Sequence, residues 1–205
     1  LNKQVQTYEI APRSASGSLI YRYKTSPTGI FKLYATYNNQ YFVLSNRVSG
    51  YSEFYDLRTK LVGGNLYVNT SYRESIGKNW LVEVAASFSD DRNRLLLSGY
   101  DASPGYGYQL NLRTGSIQNR TQGKATFSRA YGKRSTLWFG GEGHDIQNNS
   151  TYEIAGFKGE NKIADIYTAA YAETEFYLSP KVAARVGGRG EYSTFLQKYN
   201  VAPRA

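Results

Sequence analysis

The sequence predicts an all-β fold, an antiparallel transmembrane β-barrel, and three observations support this prediction. Strands of alternating residues recur in pairs, each pair joined by a short polar turn, at 24–29, 74–79, 131–135 and 178–181. Much longer polar segments separate the pairs. The chain also contains 20 Tyr and 9 Phe, and aromatic residues favour strands and form the girdles of membrane barrels. Short periplasmic turns and long extracellular loops are typical of a bacterial outer-membrane barrel.

Composition excludes several other classes. No apolar stretch approaches the roughly 20 residues that a spanning helix needs. The net charge is +9, but Lys and Arg are scattered without a continuous run, which argues against nucleic acid as a partner. The chain has no Cys, so it holds no disulfide and no thiolate metal site. It opens on Leu1 without an initiator Met or a signal sequence, so we expect a mature chain or an internal piece.

Two-residue periodicity defines the strands. In the clearest case, Trp80 to Ser89, apolar side chains occupy the even positions and polar or small ones most of the odd positions. The pattern predicts about eight strands, each near the 9–11 residues that a tilted transmembrane strand requires: 19–24, 31–38, 65–73, 80–89, 121–131, 135–143, 163–178 and 181–191.

The polar segments 90–119 and 145–161 are predicted to be the long loops. Long loops are uncommon inside compact soluble domains unless they are functional, which favours the barrel over a soluble sandwich. Binding residues concentrate on loops held by a rigid scaffold, and tyrosine combines a stacking face with a hydrogen-bonding tip. The candidate ligand-binding residues are therefore Tyr100, Asp101, Tyr106, Tyr108, Gln147, Asn148, Tyr152 and Glu153.

The even side chains of the Trp80 strand are predicted to contact lipid and the odd ones to face the lumen. The same reasoning assigns a set of charged residues to the lumen, as part of a wall network or against a plug: Arg73, Glu83, Glu173, Glu175, Arg185, Arg189 and Glu191. Trp80, Tyr131 and Tyr177 lie beside short turns, where an aromatic girdle is expected at the periplasmic interface.

Catalysis has little support in the sequence. The single His144 has no nucleophile or metal partner beside it, so no catalytic residue is assigned. Asp90, Asp91 and Asp145 could bind a hard cation through oxygen, but solvated carboxylates at strand ends explain them better. We therefore expect no metal site, no cofactor and no enzymatic activity.

The C-terminal stretch resembles the barrel domain of TonB-dependent outer-membrane receptors. In that family a Tyr-Leu-Ser-x-Lys turn precedes an Ala-x-Arg-x-Gly-x-Arg-x-Glu-Tyr-Ser strand and an Asn-x-x-Pro-Arg segment. The matching residues here are Tyr177, Leu178, Ser179 and Lys181; Ala183, Arg185, Gly187, Arg189, Glu191, Tyr192 and Ser193; and Asn200, Pro203 and Arg204. The segment 69–93 is similar to an earlier hairpin of the same barrels.

The resemblance implies a receptor barrel of 22 strands with a plugged lumen. We find about eight predicted strands, no plug domain and no closing aromatic strand, so we expect residues 1–205 to be a partial barrel domain. The alternative is that eight strands close alone. The implied function is import of a scarce nutrient, an iron–siderophore complex, cobalamin or a glycan, without chemical conversion. The implied partners are outer-membrane lipid and lipopolysaccharide, a plug domain, an inner-membrane energy-coupling complex and the nutrient.

Two other functions remain open at this stage. A small standalone barrel would be an adhesin or a structural anchor in the outer membrane, and a plug domain upstream of the chain would decide against it. A soluble all-β binding domain would stay folded in buffer without detergent.

Overall fold

Nine antiparallel strands form one sheet in the computed structural model, which describes residues 4–49, 54–101, 109–131, 135–179 and 182–204. The strands are β1 Gln4–Lys24, β2 Ile30–Ser49, β3 Phe54–Ile76, β4 Trp80–Asp101, β5 Gln109–Tyr131, β6 Ser135–Ile154, β7 Phe157–Ser179, β8 Val182–Ser193 and β9 Lys198–Arg204. Each strand pairs with the next one along the chain. Contacts between strands follow the same order, so the described part of the chain is a single layer.

The antiparallel barrel-type sheet predicted from the sequence is confirmed, with two corrections. There are nine strands rather than eight, because β9 pairs with β8 from Ser193–Lys198 to Gly187–Arg204. The first seven strands are 20 to 23 residues long, about twice the predicted length. Within the described residues β1 and β9 do not pair, so the sheet is open.

The prediction that 90–119 and 145–161 are loops is wrong for most of their length. β4 and β5 pair without interruption from Trp80–Arg129 to Tyr100–Gln109, and β6 and β7 pair up to Ile154–Phe157. Polar and apolar side chains are mixed on both faces there, with Leu95, Leu96 and Leu97 among polar neighbours, so the hydrophobic alternation that identifies a strand is missing although the backbone ladder continues. The two ends of the sheet still differ, but the difference lies in how far the strands extend and not in the length of the loops.

The hydrogen-bond register is staggered along the sheet. The β1–β2 hairpin closes at the pair Lys24–Ile30, and the ladders place this pair level with Glu83. The β3–β4 hairpin closes at Trp80, three residues lower on β4. The pair Tyr131–Ser135 lies two residues below Trp80. This offset of about one residue per strand corresponds to a strand tilt of roughly 40°, the tilt that closed barrels require.

A two-residue connection, Ala155 and Gly156, joins β6 and β7. Both residues have positive φ, 48° and 84°, as a two-residue hairpin of type I′ demands. Gly156 adopts this conformation without strain, whereas Ala155 carries a Cβ that disfavours it. No helix among the described residues is long and apolar enough to cross a membrane.

Candidate functional site

Because directly paired residues point to the same side of a sheet, the ladders assign every paired side chain to one of two faces. We call the face that contains Val84 the apolar face and the face that contains Glu83 the polar face. Asp90 and Asp145 mark the level at which the apolar face acquires charge. We call the part of the sheet between this level and the short turns at 25–29 and 77–79 the proximal half, and the part beyond it the distal half.

In the proximal half the apolar face carries a continuous band of apolar side chains, and two charged residues mark its lower edge: Glu74, level with Val82, and Arg129, level with Trp80. On β4 it consists of Trp80, Val82, Val84, Ala86 and Phe88. The register continues it with Leu19, Tyr21 and Tyr23; Phe31, Leu33, Ala35 and Tyr37; Leu66, Val68, Thr70 and Tyr72; Phe127, Ala125, Gly123 and Thr121; Leu137, Phe139, Gly141 and Gly143; Ile166, Thr168, Ala170, Ala172 and Thr174; and Val186, Gly188, Gly190 and Tyr192.

The height of this band fits a bilayer. From Trp80 to Asp90 a strand rises about 33 Å, and a tilt of roughly 40° reduces this to about 25 Å along the membrane normal. Aromatic residues lie near its lower edge, where Trp80 meets Phe139 edge-on at 6.1 Å and Phe127 stacks on Phe139 at 5.4 Å. Near its upper edge Tyr192 and Tyr199 contact each other at 4.4 Å.

Burial is inverted relative to a water-soluble domain. Apolar side chains of the band are exposed, 39% for both Val84 and Phe88 and 43% for Val186. Glu173 on the polar face is only 7% exposed. Water-soluble proteins bury apolar side chains and expose charged ones. A single layer that crowds its polar side chains and exposes its apolar ones has the pattern of a sheet with lipid on one side and a wet interior on the other.

All seven residues predicted to face the lumen lie on the polar face, as the ladder pairs Arg73–Glu83, Glu173–Gly187 and Glu175–Arg185 require. Three ion-paired groups hold most of them. Arg73 pairs with Glu83 at 3.2 Å. Glu173 accepts from both Arg185 and Arg204, and its low exposure follows from lying between them.

The third group is centred on Arg189. Its guanidinium donates to Glu142 and to Glu191, each at 2.5 Å, and to the Tyr167 hydroxyl at 3.0 Å. His144 lies 3.8 Å from Glu142 and 2.9 Å from the Gln122 amide. Arg189, Glu142 and His144 are mostly buried, so these interactions fix the positions of side chains on four neighbouring strands, β5 to β8.

Glu142, Tyr167, Gln122 and Asp165 are polar-face residues that sequence reasoning did not single out. Asp165 accepts from the Ser193 hydroxyl at 2.9 Å and from the Phe195 backbone amide at 3.0 Å, which anchors the β8–β9 connection to β7. Their positions in the two-residue period were the available signal, because each has the parity of a neighbouring predicted lumen residue.

The described candidate ligand-binding residues lie on strands rather than on the predicted loops, and their role in binding stays a prediction. Tyr100 and Asp101 end β4, while Tyr106 and Tyr108 lie outside the described residues. Gln147, Asn148, Tyr152 and Glu153 lie in β6. The register places Asn148 and Tyr152 on the polar side and Gln147 and Glu153 on the opposite side. At most half of the β6 set can therefore face one ligand.

Of the three predicted girdle residues, Trp80 and Tyr131 lie on the apolar face beside their turns. The Arg129 guanidinium lies 5.2 Å from the centre of the Trp80 ring, and the Tyr131 hydroxyl is 2.5 Å from that of Thr174. Tyr177 pairs with Ala183 in register with Glu175–Arg185, so it lies on the polar face and the girdle prediction is wrong for this residue. In the described part of the chain, no group of three or more His, Cys, Asp or Glu side chains is placed to hold a metal ion.

Comparison with solved structures identifies the architecture. The ferric yersiniabactin uptake receptor FyuA of Yersinia pestis matches 87% of the chain with a TM-score of 0.60 at 14% identity. The alcaligin outer-membrane receptor FauA of Bordetella pertussis matches 100% of the chain with a TM-score of 0.53 at 11% identity. FpvA of P. aeruginosa, solved bound to pyoverdines and iron, matches 97% of the chain with a TM-score of 0.51 at 7% identity. The chain has the fold of a TonB-dependent outer-membrane receptor barrel.

The chain spans only about a third of those structures, namely 28% of FyuA, 38% of FauA and 38% of FpvA. No protein-family profile and no curated protein matches its sequence. The receptor-barrel fold is therefore recognisable from backbone geometry although the sequence comparisons find no relative.

Proposed function

We propose that residues 1–205 form part of the barrel domain of a TonB-dependent transporter in the bacterial outer membrane. The apolar band, backed by an ion-paired polar face, is the observation that carries this proposal. In lipid every backbone N–H and C=O must be satisfied within the protein, and a closed antiparallel sheet achieves this. In this proposal, strands beyond the nine described here complete the barrel around the polar face.

The transported nutrient is proposed to be an iron–siderophore complex rather than cobalamin or a glycan. FyuA is a ferric yersiniabactin uptake receptor, FauA is an alcaligin receptor, and FpvA was solved with pyoverdine and iron. The nutrient passes along the polar face without making or breaking a covalent bond, so the protein is not an enzyme. A plug domain occupies the lumen, and an inner-membrane complex supplies the energy for uptake.

The polar face supports this role because several of its charges neutralise one another in ion pairs. Arg189 with Glu142 and Glu191, and Glu173 with Arg185 and Arg204, form closed ion-paired groups. Such a wall is wettable but does not hold a passing charged solute strongly. The role of the wall is to enclose the pathway, and selectivity is expected from other parts of the receptor.

The test is uptake by cells that express the complete gene. A deletion strain should lose iron-siderophore-dependent growth under iron limitation, and uptake of ⁵⁵Fe–siderophore should require both the gene and an intact energy-coupling complex. Retained uptake in the deletion strain would contradict the proposal. If surface adhesion is lost instead, the adhesin or anchor alternative is correct.

A further inference from the structure

The polar face of the proximal half contains a concave basic region on strands β1 to β5. A cavity of about 670 Å³ is lined there by four cations and one carboxylate: Arg22, Lys32, Arg73, Lys124 and Glu83. We call this cavity the basic trough. The groups centred on Arg189 and Glu173 lie on β6 to β9. The polar face is therefore ion-paired on one side and basic on the other.

Most of the positive charge in the basic trough is not neutralised. Arg73 pairs with Glu83 at 3.2 Å, which accounts for the one carboxylate. Arg22 and Lys32 are exposed and form no ion pair within the described residues. Four cations and one carboxylate leave an excess of three positive charges.

Lys124 is also available to an anion. Its side chain is exposed, and its ammonium lies 5.9 Å from the centre of the Tyr171 ring. Glu142, directly opposite Lys124 on β6, is bound by the Arg189 guanidinium at 2.5 Å. The carboxylate that faces Lys124 across the ladder is therefore engaged by another cation.

Two of the cations are placed where they repel each other. Arg22 and Lys32 are directly opposite in the β1–β2 ladder. Like charges at directly opposite positions destabilise a sheet, because their Cβ atoms are only about 5 Å apart. An anion bound between the two side chains would offset this repulsion. The pair is thus explained by binding better than by a contribution to the stability of the sheet.

Small side chains form the floor of the basic trough. Lys32 pairs with Ser71, Ser71 with Ala85 and Ala85 with Lys124. Three strand spacings, about 14 Å, therefore separate the backbones of Lys32 and Lys124. Because Ser71 and Ala85 rise little above the sheet, the space between the two lysines suits a bulky chelate rather than a single small ion. The cavity volume is within the range of small-molecule sites.

The position of the basic trough strengthens its field. The row of Ala85 lies five residues above Trp80, which is about 13 Å along the membrane normal and near the middle of the apolar band. On the proposed function, on which this inference rests, lipid lies behind the sheet at this height. A cleft lined by one sign of charge and backed by a low-dielectric medium focuses the field and concentrates counter-ions.

We propose that the basic trough is a transit site for an anionic iron–siderophore complex, so that the transported nutrient carries a net negative charge. Arg22, Lys32 and Lys124 contact the anionic oxygens of the complex, and the Ser71 hydroxyl donates a hydrogen bond to it. These cations are exposed to water, so binding is weak and the complex can leave. The site favours anionic over neutral complexes during passage, in addition to the selectivity expected from other parts of the receptor.

The experiment measures how fast lysines of the complete receptor, purified in mild detergent, react with N-hydroxysuccinimide acetate. Peptide mass spectrometry follows acetylation of Lys32 and Lys124. Lys78, in the β3–β4 turn, is an exposed reference lysine outside the basic trough. Two probes are compared at equal concentration: iron(III) citrate, which is anionic, and iron(III) tris(acetohydroxamate), which is neutral.

Two variants locate the site. Arg22→Gln/Lys32→Gln removes two charges from the basic trough and leaves Lys124 as the reporter. The matched control, Lys60→Gln/Arg94→Gln, removes two charges from the distal half, on the side of the sheet that continues the apolar face. Heat-modifiable migration in gels establishes that both variants fold.

We expect iron(III) citrate to slow acetylation of Lys32 and Lys124 about threefold or more, and the neutral complex to leave both rates unchanged. Lys78 should react at the same rate throughout. Arg22→Gln/Lys32→Gln should abolish the protection of Lys124, and the control variant should keep it. NaCl at about 0.5 M should weaken the protection in wild type, because salt screens exposed charges.

Equal protection by the two complexes, or protection of Lys124 that survives Arg22→Gln/Lys32→Gln, would overturn the proposal. Failure of Lys32 and Lys124 to react without any complex would also overturn it, because another part of the receptor would then fill the basic trough. Uptake of ⁵⁵Fe–siderophore by the deletion strain is measured separately. Retained uptake there counts against the proposed function, whereas charge-selective protection would still establish the anion site.

Discussion

The Tyr171 hydroxyl on β7 lies 2.6 Å from the Thr126 hydroxyl on β5, with Gly140 of β6 between them. A side chain on the middle strand would obstruct this bond. A Cβ at Gly140 would lie 2.2 Å from the Ala125 carbonyl oxygen and 2.9 Å from the Tyr171 hydroxyl. The glycine therefore allows the Tyr171 ring to lie over β6, so that its hydroxyl connects β7 to β5.

Replacement of Gly140 by alanine should destabilise the barrel by about 1–3 kcal/mol, because overpacking forces side chains and backbone to shift. Unfolding by urea in lipid vesicles measures the change. Gly123→Ala is the matched control, since Gly123 lies on β5 with nothing within 4 Å of an added Cβ. Equal losses at the two glycines would show that the Tyr171–Thr126 bond does not depend on the missing side chain.

The two faces should differ in their tolerance of charge. We expect Val84→Arg to destabilise the protein by about 2–4 kcal/mol, the cost of Arg near the bilayer midplane on a lipid-facing position. Ser87→Arg, three residues away on the polar face, should cost much less, although it removes the hydrogen bond to Gln122. Urea unfolding in vesicles of both variants tests this, and equal destabilisation would mean that the faces are misassigned.

Arg189 should be the most sensitive charged residue of the polar face. Its replacement by alanine removes the mostly buried cation between Glu142 and Glu191. We expect the free energy of unfolding to fall by about 2–4 kcal/mol. Arg73→Ala removes an exposed pair and should cost less than about 1 kcal/mol. Thermal unfolding in detergent compares the two variants. If Arg189→Ala destabilises the protein no more than Arg73→Ala does, a structural role for the network is excluded.

The β6–β7 turn offers a stabilising change. Ala155 has a φ of 48°, and asparagine adopts this left-handed conformation more readily. We expect Ala155→Asn to raise the free energy of unfolding by about 0.5–1 kcal/mol. Gly156→Ala, at a φ of 84°, should have the opposite effect. Urea titrations of both variants provide the measurement, and stabilisation by Gly156→Ala would contradict the assigned turn type.

The alternating strands of the proximal half could be predicted from the sequence, because a lipid-facing wall, as proposed above, requires an apolar side chain at every second position. Trp80 to Phe88 is an example, since the ladders place its even and odd side chains on opposite faces. The distal extensions could not be predicted, because with water on both sides no face must be apolar. Residues 90–101 therefore read as loop, although they continue the same ladder.

Two other features depended on tertiary context. β9 is short and contains Pro203, so its sequence does not indicate a strand, and only its pairing with β8 shows that it is one. The Arg189 group brings together residues that are up to 47 positions apart in the chain. Alternation predicted which face they share, but only the register determines which of them meet.

The most direct test of the account is a site-directed spin-label scan of β4, from Leu81 to Phe88, in the complete receptor reconstituted in lipid. The chain has no cysteine, so in this region single cysteines can be introduced without removing native ones. We predict that collision rates with oxygen peak at Val82, Val84, Ala86 and Phe88, and that collision rates with a water-soluble nickel chelate peak at the odd positions or are low there if a plug covers them. Oxygen accessibility without a two-residue period, or one that peaks at Glu83, Ala85 and Ser87, would contradict the assignment of the apolar face to lipid.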